Sequence, residues 1–571
     1  MLICQLFYKK IIVKKEIHLS LFILLIFISI SLSAQKYAVY FTDKNNSPYS
    51  IENPEEFLSQ RSLERRERHQ IAVVVQDFPV NPQYVQTLKS LGAKVPFTSR
   101  WLNCALVSCP QTVIEQIKKL DFVSQVIYIS PGAYSGKSET ESRSSNFSGK
   151  FEKEGDFIPV NPRDITEQYL YGEGYQQINQ INGIPVHEQG FTGEGVLIAV
   201  LDAGFDNVNK LSVFSNLFTE GRLVFEKDIV KPGGDIYNNA HYHGTMVLSC
   251  MSAYANGSFV GTAPKASYAL IRTEEEPGEN LIECYNWVVG MELADSLGAD
   301  ITNTSLGYHF FDDVSMNYTF SQMDGESTVA SFAAKCAIEK GIFVTVSAGN
   351  EGEDPTWPWI TSPADATYAA TIGAVDANGV IADFSSFGPN GAGQPKPNVC
   401  ARGVTATLYS TSGNIGKADG TSFASPITCG MVACVIQAAP KKKPMEILDA
   451  MQKSANRYPN YDIHYGYGIP NFSKVLKLLG VLSIDDNCSA TKLAYYPNPV
   501  NDILYVSNNE RIIKSIELYD MAGKLIKNLN TNAHLASIDV KEISNGLIFG
   551  KIIYDDDRSE MIKCVILNSS Y

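Results

Sequence analysis

Two of the eight histidines in this chain stand one residue apart, in "NNAHYHGTMVLSC", just before a run that reads as a helix. His241 and His243 could be a metal-ligand pair, a catalytic base beside a bystander, or ordinary loop polarity. The metal reading needs further ligands at suitable spacing, and none follow nearby. The base reading needs two partners, and the chain offers both. Asp202 ends the apolar run of "LIAVLDAGFD", and Ser422 lies in "DGTSFASP" ahead of another helical run. A serine hydroxyl is too weak an acid to attack a carbonyl unaided. His243 can take its proton and return it to a leaving amine, while Asp202 fixes the imidazole tautomer and stabilises the imidazolium. A fourth residue, Asn350 in "VSAGNEG", offers a side-chain amide to a developing oxyanion. Each piece alone has a plainer explanation: turn residue, surface histidine, helix cap or Gly-Asn turn. Their combination points to nucleophilic acyl transfer.

Residues at such a site must be held by a frame, and the pattern around them supplies one. From about 170 to 478, apolar runs such as "GVLIAVLDAG", "SYALIRT" and "GIFVTVSAGN" alternate with helical ones such as "GTMVLSCMSAYA" and "SPITCGMVACVIQAA". Runs apolar on both faces alternating with helices call for an open parallel α/β sheet with helices on both sides. In such sheets sites gather at the carboxyl ends of strands, where Asp202 and Asn350 fall.

The 571 residues exceed one core and divide by composition. Residues 1–34 read as a signal peptide: lysines, an apolar stretch too short for a comfortable bilayer span, then small residues. Residues 36–131 alternate short strands and helices as a small α+β domain, in which the basic run Arg61–Arg68 reads as a solvated helix face. Residues 132–168 form a linker opening on a polar, Ser- and Gly-rich stretch suited to proteolysis. Residues 169–478 hold the parallel sheet, and 479–492 form a second linker. Residues 493–571 carry short strands with turn signals, as in an antiparallel β-sandwich. The net charge of −14 argues against nucleic acid as a partner. The cysteines are scattered without CxxC spacing and read as buried small hydrophobes, not as a disulfide framework or zinc site.

Six blocks, "AVLDAGFD", "HGTMV", "NTSLG", "VSAGNEG", "FSSFGP" and "DGTSFASP", in that order resemble the signature of subtilisin-like serine proteases, the subtilases. The resemblance implies a secreted endopeptidase acting through an acyl-enzyme, with Asp202, His243 and Ser422 as its triad. It implies an oxyanion hole at Asn350 and a substrate-pairing edge at Ser305, Leu306 and Gly307. Pocket walls are expected near Ser347, Ala348 and Gly349 and in "WITSPADA". No cofactor is required for the chemistry, and the loop "YANGSFVGTAP" is shorter than the family's calcium-binding version, which counts against calcium there. Ala203 replaces the family's usual Ser or Thr, so one hydroxyl that could orient the aspartate is missing. Met246 and Phe423 also depart from the usual residues and are expected to pack. An aromatic and acidic insertion at 308–330 either borders the cleft or forms a surface excursion. The first domain resembles the inhibitory propeptide, a partner in its own right, although the stretch around 52–80 is extra. Residues 493–571 resemble the sorting domain of type IX secretion through "YYPNPVND" and "IELYDMAGKLIK", implying the secretion machinery as partner and a secreted or cell-surface location. The alternative is a catalytically silent surface binding protein on the same scaffold.

Overall fold

The computed structural model describes residues 34–131, 157–159, 171–238, 240–275, 278–481, 493–496, 500, 502–508 and 511–566. The expected signal segment, most of the 132–168 linker and most of the second linker lie outside the described residues.

The N-terminal domain has strand β1 (Gln35–Phe41), helices α1 (Gln60–His69) and α2 (Pro82–Ser90), strands β2 (Lys94–Ser99) and β3 (Cys104–Cys109), helix α3 (Gln111–Ile117) and strand β4 (Val123–Ser130). Its strands form an antiparallel sheet in the order β2-β3-β1-β4. The two-residue period of β1 divides its side chains between two cores. Tyr37, Val39 and Phe41 join Leu88, Ile114 and Ile117 in the domain's own core, while Ala38 joins Leu106 and Ile129 in a cluster continuous with the next domain. Helix α1 starts where the Ser59 side chain accepts from Ser62 N and stops at Gln70 in the left-handed region. Its arginines are only in part a solvated face, at Arg61 and Arg68. Arg65 and Arg66 are fully buried against the next domain, because a basic stripe is also what a helix presents to an acidic surface.

The second domain is built on β5 (Leu197–Asp202), β6 (Leu223–Asp228), β7 (Ser267–Arg272), β8 (Ile301–Thr304), β9 (Phe343–Ser347), β10 (Ala370–Val375) and β11 (Val399–Arg402). They form one sheet, order β11-β10-β9-β8-β5-β7-β6, with every neighbouring pair parallel. All six residues of β5 are buried. Ile198 and Val200 enter the core shared with helices α4 (His243–Ser252) and α7 (Thr421–Ala438); Leu197, Ala199 and Leu201 enter the opposite one, shared with α5 (Ile282–Leu297) and α6 (Val329–Glu339). Each such branched side chain stabilises the fold by about 1.5–3 kcal/mol relative to exposure, which is why a continuous apolar run is a two-sided strand. Helix α7 is apolar on all sides because it too is buried.

Between Leu493 and Ile566, seven antiparallel strands form sheets of three and four around one apolar core, in agreement with the sandwich expectation. Ile548 lies in that core.

Candidate active site

The carboxyl ends of β5, β8 and β9 meet the amino ends of α4 and α7. Asp202 is the last residue of β5 and His243 the first of α4. Their Oδ1 and Nδ1 atoms are 2.7 Å apart, and both side chains are fully buried. Asp202 Oδ1 also accepts from Ala203 N at 2.8 Å. Two glycines allow this approach. A Cβ on Gly244 would lie 2.3 Å from Gly204 O and 3.0 Å from Asp202 Cβ; one on Gly204 would lie 2.3 Å from His241 N. Helix α4 can therefore abut the strand end only where both side chains are absent. Two donors converging on one carboxylate oxygen fix the imidazole with Nδ1 towards the aspartate, leaving Nε2 as the ring's other nitrogen.

Ser422 is the second residue of α7 and is buried. The His243 ring lies 6.2 Å, centroid to centroid, from Phe423, the next residue along. The first turn of α7 is fastened to β8. Ser305 Oγ donates to Ser422 O at 2.8 Å, Asn303 Nδ2 donates to Ser305 Oγ at 3.1 Å, and Ser425 Oγ donates to Asn303 Oδ1 at 2.9 Å. Asn350 follows β9, and its Oδ1 accepts from Thr421 N at 2.9 Å and Thr421 Oγ1 at 2.8 Å. With the oxygen held there, the amide NH₂ is the end directed away from Thr421. The same Thr421 hydroxyl accepts from Gly349 N at 3.2 Å. The start of α7, with its helix dipole favouring negative charge, thus sits beside an oriented amide donor.

Ser305, Leu306 and Gly307 continue β8 past its last ladder pair at Thr304. Among the described residues, the N–H groups of Leu306 and Gly307 donate to no other backbone group, so this stretch is an open edge. A Cβ on Gly307 would lie 2.1 Å from Thr361 Oγ1. Ser347 closes β9, and Ala348 N donates to Ile372 O at 3.0 Å. Gly349, at φ +109°, turns the chain towards Asn350. The 308–330 insertion begins by pairing Tyr308 with Ser362 and then packs tilted or edge-on against the following loop: His309 and Phe310 on Trp357, Phe320 on Trp359. Its aromatic cluster is therefore shared with the 357–362 segment.

The departures have visible consequences. Ala203 packs on Leu306, and the buried Asp202 Oδ2 has no hydrogen-bond partner among the described residues, as expected from the missing hydroxyl. Met246 and Phe423 are buried. The 254–264 loop contains no carboxylate, and the carbonyls of Ala255 and Ser258 accept backbone N–H groups. His241 Nδ1 accepts from His243 N at 3.2 Å, and its ring lies against Tyr242. The described cysteines are buried free thiols, and burial pushes Cys250 up to about 12. Sequence reading missed Asn303, Thr421 and Ser425. All three stand within the quoted motifs, and Ser425 lies three positions after Ser422, a spacing that puts both on one helical face.

Three family models match successive parts of the chain. Residues 36–145 match the peptidase S8 propeptide domain of Bacteroidota, residues 193–468 the subtilase family, and residues 494–567 a secretion system C-terminal sorting domain. Subtilisin NAT of Bacillus subtilis subsp. natto is 28% identical over 314 residues, 55% of this chain and 73% of its own length. Subtilisin of Bacillus pumilus is 28% identical over 296 residues, 52% of this chain and 95% of that protein. The crystal structure of MycP1 with the N-terminal propeptide removed aligns with a TM-score of 0.41 at 22% identity, covering 53% of this chain and 96% of that one. Residues 193–468 thus form a domain of the subtilase family, preceded by a peptidase S8 propeptide domain and followed by a sorting domain of type IX secretion.

Proposed function

We propose that the exported protein is an endopeptidase that hydrolyses peptide bonds through an acyl-enzyme formed on Ser422. The observation that carries this reading is the buried 2.7 Å contact of His243 Nδ1 with Asp202 Oδ1, at the mouth of the helix that bears Ser422. In the first step His243 Nε2 accepts the Ser422 hydroxyl proton as Oγ bonds to the scissile carbonyl carbon. Negative charge gathers on the carbonyl oxygen, towards the Asn350 amide and the Ser422 N–H. The C–N bond then breaks and the amine leaves with the proton from His243. Water repeats the sequence, giving its proton to His243 and releasing the acid. Asp202 stabilises the imidazolium.

Substrate backbone would pair with the open edge at 305–307, placing the residue before the scissile bond towards the walls at 347–349. No cofactor enters these steps. The alternative, a silent binding protein, has no observation in its favour, because all four reactive positions keep suitable residue types. In a peptidase assay, His243→Ala is expected to lose several orders of magnitude in rate, and His241→Ala only a small factor. Equal losses from the two would return the histidine pair to a joint role and overturn this assignment.

A further inference from the structure

Helices α5 and α6 end side by side on the far side of the catalytic domain, each closed by a left-handed glycine, Gly298 at φ +84° and Gly341 at φ +89°. Their carbonyl ends converge on one guanidinium. Arg65 of the propeptide donates Nη1 to Ala299 O at 2.6 Å and Nε to Lys340 O at 3.1 Å, and its Nη2 pairs with the Asp295 carboxylate. Arg65 and Asp295 are both fully buried. Arg66 and Arg100, also from the propeptide, reach the same carboxylate at 2.8 Å and 2.5 Å.

Asp295 is in an odd position for the catalytic domain taken by itself. It lies in the last turn of α5, where the helix dipole disfavours an anion. Its carboxylate hydrogen bonds come from propeptide arginines. Nearby Glu292 is treated alike, accepting from Ser99 Oγ, Arg100 N and Trp101 N. The two closing glycines also leave room for the propeptide helix. A Cβ on Gly298 would lie 2.6 Å from Ser62 N, and one on Gly341 2.6 Å from His69 Nδ1.

We propose that Asp295, with the carbonyls of Ala299 and Lys340, is a guanidinium socket remote from the cleft. Its occupant is Arg65, and its filling keeps the propeptide bound after the linker has been cut. The socket resides in the catalytic domain, so it is vacated when the propeptide leaves. The fit is to arginine and not to lysine: a planar fork satisfies a carboxylate and two carbonyls together, whereas an ammonium is a single compact charge. The inference rests on the proposed peptidase activity only in describing the bound state as latent.

The test uses the full chain with Ser422→Ala, so that binding is read without activity. Brief trypsin treatment opens the linker at Lys137, Arg143, Lys150 or Lys153, and size-exclusion chromatography follows the propeptide fragment. With an intact socket the fragment co-elutes with the catalytic domain. Asp295→Asn, which leaves the buried Arg65 and Arg100 facing no carboxylate in the socket, and Arg65→Gln, which strips the Ala299 and Lys340 carbonyls of their guanidinium donor, are each expected to weaken retention by about a hundredfold or more. Arg65→Lys is expected not to restore it. Arg61→Gln, at a half-exposed side chain whose buried partner Asp300 keeps Arg68, is expected to change it by less than about tenfold. Should the socket variants fail to fold, the nicked chain with its socket intact is challenged with arginine amide and with lysine amide at equal ionic strength. Faster release by arginine amide supports the proposal. Equal release by both amides, or unchanged retention in Asp295→Asn and Arg65→Gln, overturns it.

Discussion

Replacing Asp202 by asparagine tests how the base is held. Oδ1 accepts from two donors, His243 Nδ1–H and Ala203 N–H, while the buried Oδ2 has no partner among the described residues. An asparagine can keep its oxygen at the first position only by placing its NH₂ in the buried space of the second. A buried donor left unsatisfied there costs about 1–3 kcal/mol of stability, or a fall in melting temperature of roughly 2–10 °C. The flipped amide instead turns its NH₂ towards Ala203 N–H and makes Nδ1 of His243 an acceptor. The ring proton then sits on Nε2, which cannot take one from Ser422. In either arrangement the imidazolium loses its counter-charge. The expected fall in kcat is about 10³–10⁴-fold, equivalent to about 4–5 kcal/mol of transition-state stabilisation, with KM changed by less than about threefold. The assay is steady-state hydrolysis of a chromogenic peptide at saturating concentration, after the linker has been opened by a trace of unsubstituted enzyme, together with a melting curve. A kcat loss below tenfold would refute the assignment of Asp202 as the partner of the base.

Other outcomes follow from the same geometry. Asn350→Ala removes the amide whose oxygen Thr421 holds, and kcat is expected to fall about 10²–10³-fold at nearly constant KM, the usual size for one oxyanion donor in subtilisin. Gly307→Ala drives a methyl into Thr361 Oγ1, so the substrate edge is displaced and KM should rise about tenfold or more; Thr361→Ala in the same chain should recover much of it. His187, buried with Nε2 on Thr262 O at 2.9 Å, is pushed down to about 4 by desolvation. Because its folded value lies below its unfolded one near 6.5, the neutral ring's contribution is complete above pH 6.5 and is lost as pH falls towards 4. It amounts to about 3 kcal/mol. Acid unfolding monitored between pH 7 and 4 should therefore be shallower in His187→Gln.

The strands and the parallel sheet could be read directly, because two-sided burial leaves unbroken apolar runs; the four candidate residues were singled out because the proposed chemistry demands fixed residue types. Supporting residues were harder. Asn303, Thr421 and Ser425 act through contacts between β8, β9 and α7, more than 70 residues apart in sequence, and nothing in their local composition separates them from ordinary turn and cap residues. Arg65 and Arg66 were misread for a related reason. A basic helical stripe has one sequence signature whether water or a buried Asp295 lies opposite, and only the tertiary fold brings α1 to the ends of α5 and α6. Ala203 ran the other way, since a missing hydroxyl noted in sequence corresponds to a carboxylate oxygen without a partner.

The most direct measurement is labelling of the matured protein with a serine-directed phosphonate, followed by peptide mass mapping. The account predicts one adduct, on Ser422, formed at a rate that His243→Ala reduces by several orders of magnitude. A folded, matured protein that takes up no label at Ser422, or is labelled equally fast without His243, would contradict it.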